Sequence, residues 1–303
     1  MKRLAAVIGV FFALAAVAVR AAGWLPLVSA SAGGGGCSQA TTYNGMLDSG
    51  QNSAAVTTLI CGLVTDGVFA KLDVLYIFAI NSSANSLVNA VNPGTFNGTA
   101  NGNVSTGCAG ATACFSANNG WSGVDASTTI YIDTGFNPST ANSPHFTQNS
   151  SHVSAWSFTN ATSGASGGTV MGLVLAATNS TRLFPKYNDG NFYGDANSAT
   201  NAAGIANADS IGHYVVNRSG AGAVQHYKNA SDVGDSTEAS AAVLNGNVAI
   251  LAQRVAGSTV NFGSALQLGA ITIGGSLSST DVTNLEGRLC TYFMTVHGSC
   301  PTS

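Results

Sequence analysis

The chain has 303 residues, with 10 basic and 13 acidic side chains, a net charge of -3 and 8% charged residues, against about 25% in an ordinary domain. No Lys/Arg cluster lies beyond Arg3, so a groove that tracks phosphates has no raw material and nucleic acid is not an expected partner. Glu238 and Glu286 are the only glutamates, which counts against the paired carboxyls of sugar hydrolases.

The N-terminus reads as an export signal over residues 1–32: Lys2 and Arg3 precede the apolar run Leu4 to Val19, and Ala30-Ser31-Ala32 supplies small residues for cleavage. Cys37, Cys61, Cys108, Cys114, Cys290 and Cys300 all follow that cut, an even set that implies disulfides in an exported chain. Proximity in sequence favours Cys37 with Cys61, Cys108 with Cys114, and Cys290 with Cys300. After the flexible link Gly33 to Gly36, Val56, Leu59, Ile60, Leu63 and Val64 fall on one helical face. Val68, Leu72, Leu75, Tyr76 and Ala79 suggest a second helix after Asp66-Gly67. Residues 33–92 are thus expected to be a linker and a helical hairpin whose apolar faces need a partner, which opens a route to a homo-oligomer.

From residue 93 onward an all-β domain is expected, running to residue 303. A polar connector rich in Asn, Ser, Gly and Thr leads into it, and candidate strands begin with TTIYIDT (128–134), HVSAWSF (152–158), TVMGLVLA (169–176), TRLFPKY (181–187) and NFYGDA (191–196). IGHYVVNR (211–218), AVQHYKN (223–229), NVAILAQ (247–253), TVNF (259–262) and AITIG (270–274) follow. Turn residues separate them at sandwich-like intervals, with no fixed repeat. The chain then changes period: Val282, Leu285, Leu289, Phe293 and Val296 mark a closing helix, with Ser278 as N-cap, Asp281 at its third position, and Leu277 and Val282 as a hydrophobic staple.

The closing segment IGGSL followed by SSTDVTNLEGRLCTYF resembles that of laminin-G-like, concanavalin A-like jelly rolls, as do SHVSAWSF and AVQHYKNASDVG earlier in the chain. LICGLVTDGVFAKLDVLYIFA with YIDTGFNPST is similar to exported bacterial and phage or prophage proteins that attach a helical region to such a sandwich. The resemblance implies a mainly β, two-sheet antiparallel sandwich with an N-terminal helical hairpin and a short C-terminal helix. Lectins, adhesion modules, tail-fibre parts and glucanases share that architecture, and fold alone does not choose among them.

Chemical motifs are sparse. Gly164-Ala165-Ser166-Gly167-Gly168 matches a nucleophile-elbow pattern, but it precedes a strand instead of a helix and reads as a hairpin loop. Asp189, Asn191 and Asp195 are spaced like the start of a calcium loop, yet Tyr193 takes the fifth place and Thr200 the twelfth, so an ordinary turn is preferred and no cofactor is expected beyond this weak calcium candidate. Asp232, Asp235 and Glu238 read as solvated loop charge. His145, His152, His213, His226 and His297 show no metal-ligand spacing. Tyr187 and Tyr193, flanked by Asp189, Asn191 and Asp195, are the aromatics best placed for an exposed recognition loop that stacks on sugar. The expected function is therefore an exported, non-enzymatic recognition or attachment protein, secreted or at the cell surface, with a glycan or cell surface as partner and no membrane contact after signal cleavage. The alternative is a structural subunit of an appendage or phage-derived fibre. A glycoside hydrolase is the weakest reading.

Overall fold

The computed structural model describes residues 36–48, 52–102, 104–106, 113–161, 168–175, 178–255 and 259–303. The expected signal segment, Cys108 and most of the Gly164–Gly168 loop lie outside the described residues. The chain order begins α1 (Ser38–Asn44), α2 (Ser53–Thr65), a 3-10 turn (Phe69–Lys71), β1 (Leu72–Ile77), α3 (Ser83–Ser86), β2 (Thr99–Asn101), β3 (Val104–Thr106), β4 (Ala113–Ser116), β5 (Gly120–Ser122) and β6 (Tyr131–Asp133). It continues with β7 (Ser151–Ser157), β8 (Met171–Val174), β9 (Ser180–Phe184), β10 (Asn191–Ser198), β11 (Ile205–Ala206), β12 (Gly212–Gly220), β13 (Ala223–Lys228) and β14 (Ser231–Ser236). β15 (Ala249–Ile250), β16 (Gln253–Val255), β17 (Val260–Asn261), β18 (Gln267–Gly274) and α4 (Ser279–Val296) complete it.

Two sheets face one another. The first runs β14-β13-β12-β7-β18-β5-β4-β3, with β1 also paired to β18, and the second runs β11-β10-β9-β8-β15-β6-β2, with β16 and β17 joined beside β8. Pairing is antiparallel except at β3–β4 and β8–β16. Val153, Ala155, Val216 and Ile271 of the first sheet meet Ile132, Met171, Leu183 and Phe192 of the second in one apolar layer. The opposite face of the first sheet buries Trp156, Val215 and Ala270 against Leu59, Leu63, Leu285, Leu289 and Phe293 of α2 and α4. The second sheet has no such helical cover among the described residues.

The closing helix forms as its sequence dictates. Ser278 Oγ accepts from Asp281 N at 3.2 Å while Asp281 Oδ2 accepts from Ser278 N at 2.6 Å, a reciprocal capping box. Lys71 adds an ion pair to Asp281 at 2.5 Å, and Arg288 of α4 reaches Asp66 at 2.8 Å. No helix among the described residues is long and apolar enough to cross a membrane.

The second helix expected in the N-terminal region is instead strand β1, paired with β18 from Leu72 opposite Gly274 to Ile77 opposite Ala270. Both faces of β1 are buried: Val74 and Tyr76 enter the layer between the sheets, whereas Leu75 and Ile77 lie under the helices. A strand buried on both faces has no apolar–polar alternation and reads as a continuous apolar run. The helical hairpin is therefore corrected to α1 and α2 followed by a strand. Gly36–Ser303 forms one compact unit, within which the boundary expected near residue 92 falls. The apolar face of α2, proposed above as an oligomer contact, is covered by α4 of the same chain.

Cys37–Cys61 and Cys290–Cys300 are disulfides, with Cα atoms 5.5 and 5.1 Å apart. Cys114 is also disulfide-bonded, while the pairing expected for it with Cys108 lies outside the described residues. Cys37–Cys61 ties the start of α1 to α2 across a separation of 24 residues, and closing a loop of that size is worth about 3 kcal/mol. Replacing both cysteines by serine should lower the urea midpoint accordingly, and an unchanged midpoint would show that this bridge constrains nothing in the unfolded chain.

Candidate functional site

The β9–β10 hairpin presents the tyrosines singled out in the sequence. Gly190 adopts φ 81°, a conformation that glycine takes without steric cost. Asp189 Oδ1 accepts from Asn191 N at 3.0 Å, an Asx turn that holds the tip. Tyr187 N donates to Asn191 O at 2.7 Å, and Gly190 N to Tyr187 O at 2.9 Å.

On this frame the aromatic rings stand edge to face. Tyr187 and Tyr193 have centroids 5.7 Å apart at 85°, and Tyr187 meets Phe184 at 5.8 Å and 87°. Such contacts hold rings in place without covering both faces. Tyr187 and Tyr193 are half-buried and Asp189 is exposed. The Tyr193 hydroxyl donates to Asp189 Oδ2 at 2.6 Å. That hydrogen bond holds the Asp189 carboxyl below its usual range and pushes the phenol up.

A second chain segment supports the hairpin from behind. Asn207 Nδ2 donates to Pro185 O at 2.6 Å and to Tyr214 Oη at 2.9 Å, while Asn207 N reaches Gly190 O at 3.0 Å. Lys186 Nζ donates to Ala208 O at 2.7 Å, and Lys228 Nζ to Asn207 Oδ1 at 2.9 Å. Sequence reasoning did not single out Asn207, because its role depends on a segment that returns to the hairpin only in the fold. Gly204 lies so close to Tyr193 that an added Cβ would sit 2.6 Å from the ring. The tyrosine surface is therefore preorganised, which reduces the ordering cost of binding.

Asp195 does not belong to this surface. It is 1% exposed, and its carboxylate accepts from Arg182 Nε at 2.6 Å, Ser180 Oγ at 2.9 Å and Ala202 N at 2.7 Å. The expected grouping of Asp195 with Tyr187, Asp189, Asn191 and Tyr193 is corrected on this point: alternation places Asp195 on the same side of β10 as Tyr193, but its cross-strand partner Arg182 and the segment at Ala202 cover it. The calcium spacing fails for the same reason, since Asp195 is committed to these donors and both Asp189 oxygens accept hydrogen bonds within the hairpin. Among the described residues no group of three or more His, Cys, Asp or Glu side chains could hold a metal ion.

The remaining aromatics with sugar-stacking chemistry mostly serve the interior. Trp121, Trp156 and Tyr214 are fully buried, and Tyr131 lies under Arg254, whose guanidinium carbon is 5.5 Å from the ring centroid. Asp232 and Asp235, expected in a loop, stand on β14, the edge strand of the first sheet, with both side chains exposed. Charges there discourage edge-to-edge pairing between molecules.

No family model matches the chain, and no curated protein does. Solved structures similar in fold include domain 4 of AbnA, a GH43 extracellular arabinanase from Geobacillus stearothermophilus in complex with arabinotriose, at 17% identity over 71% of this chain and 98% of that one, with a TM-score of 0.44. The botulinum neurotoxin serotype D binding domain aligns at 13% identity over 72% of this chain and 52% of its own, with a TM-score of 0.45. Trypanosoma rangeli sialidase in complex with sialic acid aligns at 11% identity over 75% of this chain and 33% of its own, with a TM-score of 0.44. The chain's own strand pairing makes it a two-sheet, mainly antiparallel β-sandwich closed by a C-terminal helix.

Proposed function

We propose that the protein is an exported, non-enzymatic recognition module that binds glycans of a cell surface or matrix through the β9–β10 hairpin. The observation that carries this reading is the pair Tyr187 and Tyr193, two mutually braced aromatic rings at the tip of a pinned hairpin on the sheet without helical cover. A phenol ring packs against the C–H face of a sugar, and the neighbouring Asn188 and Asp189 supply polar groups for hydroxyls. Disulfides fit an oxidising compartment and so support export. A non-enzymatic role is supported by the placement of the glutamates: Glu286 lies on α4 and Glu238 follows β14, so neither is on the hairpin.

A glycan-array screen with purified protein tests the reading. Wild type should give a defined set of positives, and Tyr187→Ala with Tyr193→Ala should weaken each of them about tenfold or more, the equivalent of about 1.4 kcal/mol. Positives that survive the double substitution unchanged would move the site elsewhere.

A further inference from the structure

On the same sheet, beyond the hairpin, lies a concavity of about 240 Å³ whose polar lining is Arg182, Asn201, Gln253 and Asn261. Val174, Val255 and Phe262 form its apolar lining. Glycine at residue 172 lets Gln253 and Arg182 approach one another across β8: a Cβ there would sit 2.7 Å from the Gln253 Cβ and 3.3 Å from the Arg182 Cβ.

The polar lining is rich in donors without a partner among the described residues. Arg182 is fixed through Nε alone, by Asp195 at 2.6 Å, and its guanidinium carbon stands 5.3 Å from the Phe184 ring centroid. Its two Nη groups donate to nothing among the described residues, although the side chain is only 17% exposed. Gln253 is 4% exposed, and its only side-chain hydrogen bond among the described residues is that accepted by Oε1 from Thr169 at 3.5 Å, which leaves Nε2 without a partner there. The Asn201 and Asn261 amides likewise lack partners among the described residues, and Asn261 Oδ1 is buried and unsatisfied. Buried polar groups are nearly always paired, so the unsatisfied Asn261 Oδ1, beside the unengaged Arg182 and Gln253 donors and the exposed Asn201 amide, needs an explanation.

We propose that this concavity binds a carboxylate-bearing sugar unit of the uronic-acid type. The planar end of the Arg182 guanidinium matches a carboxylate through both Nη groups, and Asp195, on the opposite edge, orients that fork without occupying it. Gln253 Nε2 and the Asn201 amide supply donors for ring oxygens. Ring hydroxyls, which a simple carboxylate lacks, give these amides partners, which is why a sugar acid fits better. Val174, Val255 and Phe262 flank the site and exclude water from the ion pair, strengthening it relative to an exposed one. The site is distinct from the tyrosine hairpin and does not require it.

Two sugars identical except for the acid group provide the test. Isotope-labelled protein is titrated with galacturonate and, separately, with galactose while the side-chain amide signals of Gln253 and Asn261 and the ring signals of Tyr187 and Tyr193 are followed by NMR. Galacturonate should shift both amides, galactose should need about tenfold more or greater to do so, and Asn201→Trp, at an exposed position on the rim, should abolish the response by filling the concavity. Equal responses to the two sugars, or none at the amides, would overturn the inference. Ring shifts alone would overturn it and leave the hairpin reading standing. Amide shifts that vanish with Asn201→Trp, without ring shifts, would support it and leave the hairpin reading to the array experiment.

Discussion

Acidification should destabilise the protein as two buried histidines are forced to take up protons. His213 is 1% exposed and stacks on Trp156 at 5.2 Å and 10°, with no partner among the described residues for either ring nitrogen. Burial, with His152 nearby, lowers its pKa from 6.5 to about 3. His152 is held between Gly275 O at 2.5 Å and Thr272 Oγ1 at 2.9 Å, and burial lowers it to about 4 against opposing contributions from Gly275 and Asp281, with Lys71 adding to the depression. Both folded values lie below the unfolded one, so the unfolded chain binds more protons as pH drops. The histidine contribution is complete above about pH 6.5 and declines from there toward the folded values. At pH 4 His213 alone accounts for on the order of 3 kcal/mol. Glu286, raised to about 7 by burial, acts in the opposite sense: its contribution is full below 4.5 and lost as pH rises through 7. That relief is complete before the histidine loss is, so the net slope below pH 4.5 follows the imidazoles. His213→Phe keeps a ring against Trp156 and removes a titrating group that has no side-chain hydrogen bond among the described residues. Thermal melts across pH should show the acid limb of this variant displaced to lower pH, and coincident limbs would contradict the assignment.

Arg218→Met should cost about 3 to 5 kcal/mol, measured by chemical denaturation. Arg218 is 0% exposed on β12 and reaches across to the second sheet. Its Nε donates to Ala196 O at 2.5 Å and Nη2 to Ser198 Oγ at 3.0 Å, both on β10, while Nη1 donates to Gly220 O at 3.0 Å and Ala221 O at 3.1 Å. The guanidinium thus joins the two sheets near the turn after β12, satisfied by carbonyls, with Asp195 and Glu238 acting on it electrostatically. Methionine fills comparable space but leaves these carbonyls without their donor. A loss below about 1 kcal/mol would mean that water replaces the guanidinium at no cost.

The elements legible from sequence are those whose signal is local. α4 carries its own start in Ser278 and Asp281 and its own stripe in Val282, Leu285, Leu289 and Phe293, and the structure follows both. HVSAWSF, IGHYVVNR and AVQHYKN likewise coincide with β7, β12 and β13. β1 was illegible for the opposite reason: Leu72, Leu75 and Tyr76 fall at helix-like spacing by accident of a strand buried on both sides. What makes it a strand is β18, almost 200 residues further along the chain.

At the hairpin, the turn and both tyrosines follow from Asp189-Gly190 and its neighbours. The fate of Asp195 does not, because the register that sets Arg182 opposite Asp195 is a property of the paired strands. The donor-lined concavity was equally hidden. Arg182 and Gln253 belong to strands on either side of β8, and Gly172 between them has meaning only once those strands lie side by side.

Hydrogen–deuterium exchange of the protein with and without a glycan found on the array bears most directly on the claim that the sheet without helical cover is the recognition surface. Bound glycan should slow exchange at residues 187–193 and leave α2 and α4 unchanged. Protection confined to the α2–α4 groove lined by Thr58, Arg288 and Thr295 would place recognition on the opposite side of the molecule and contradict the account.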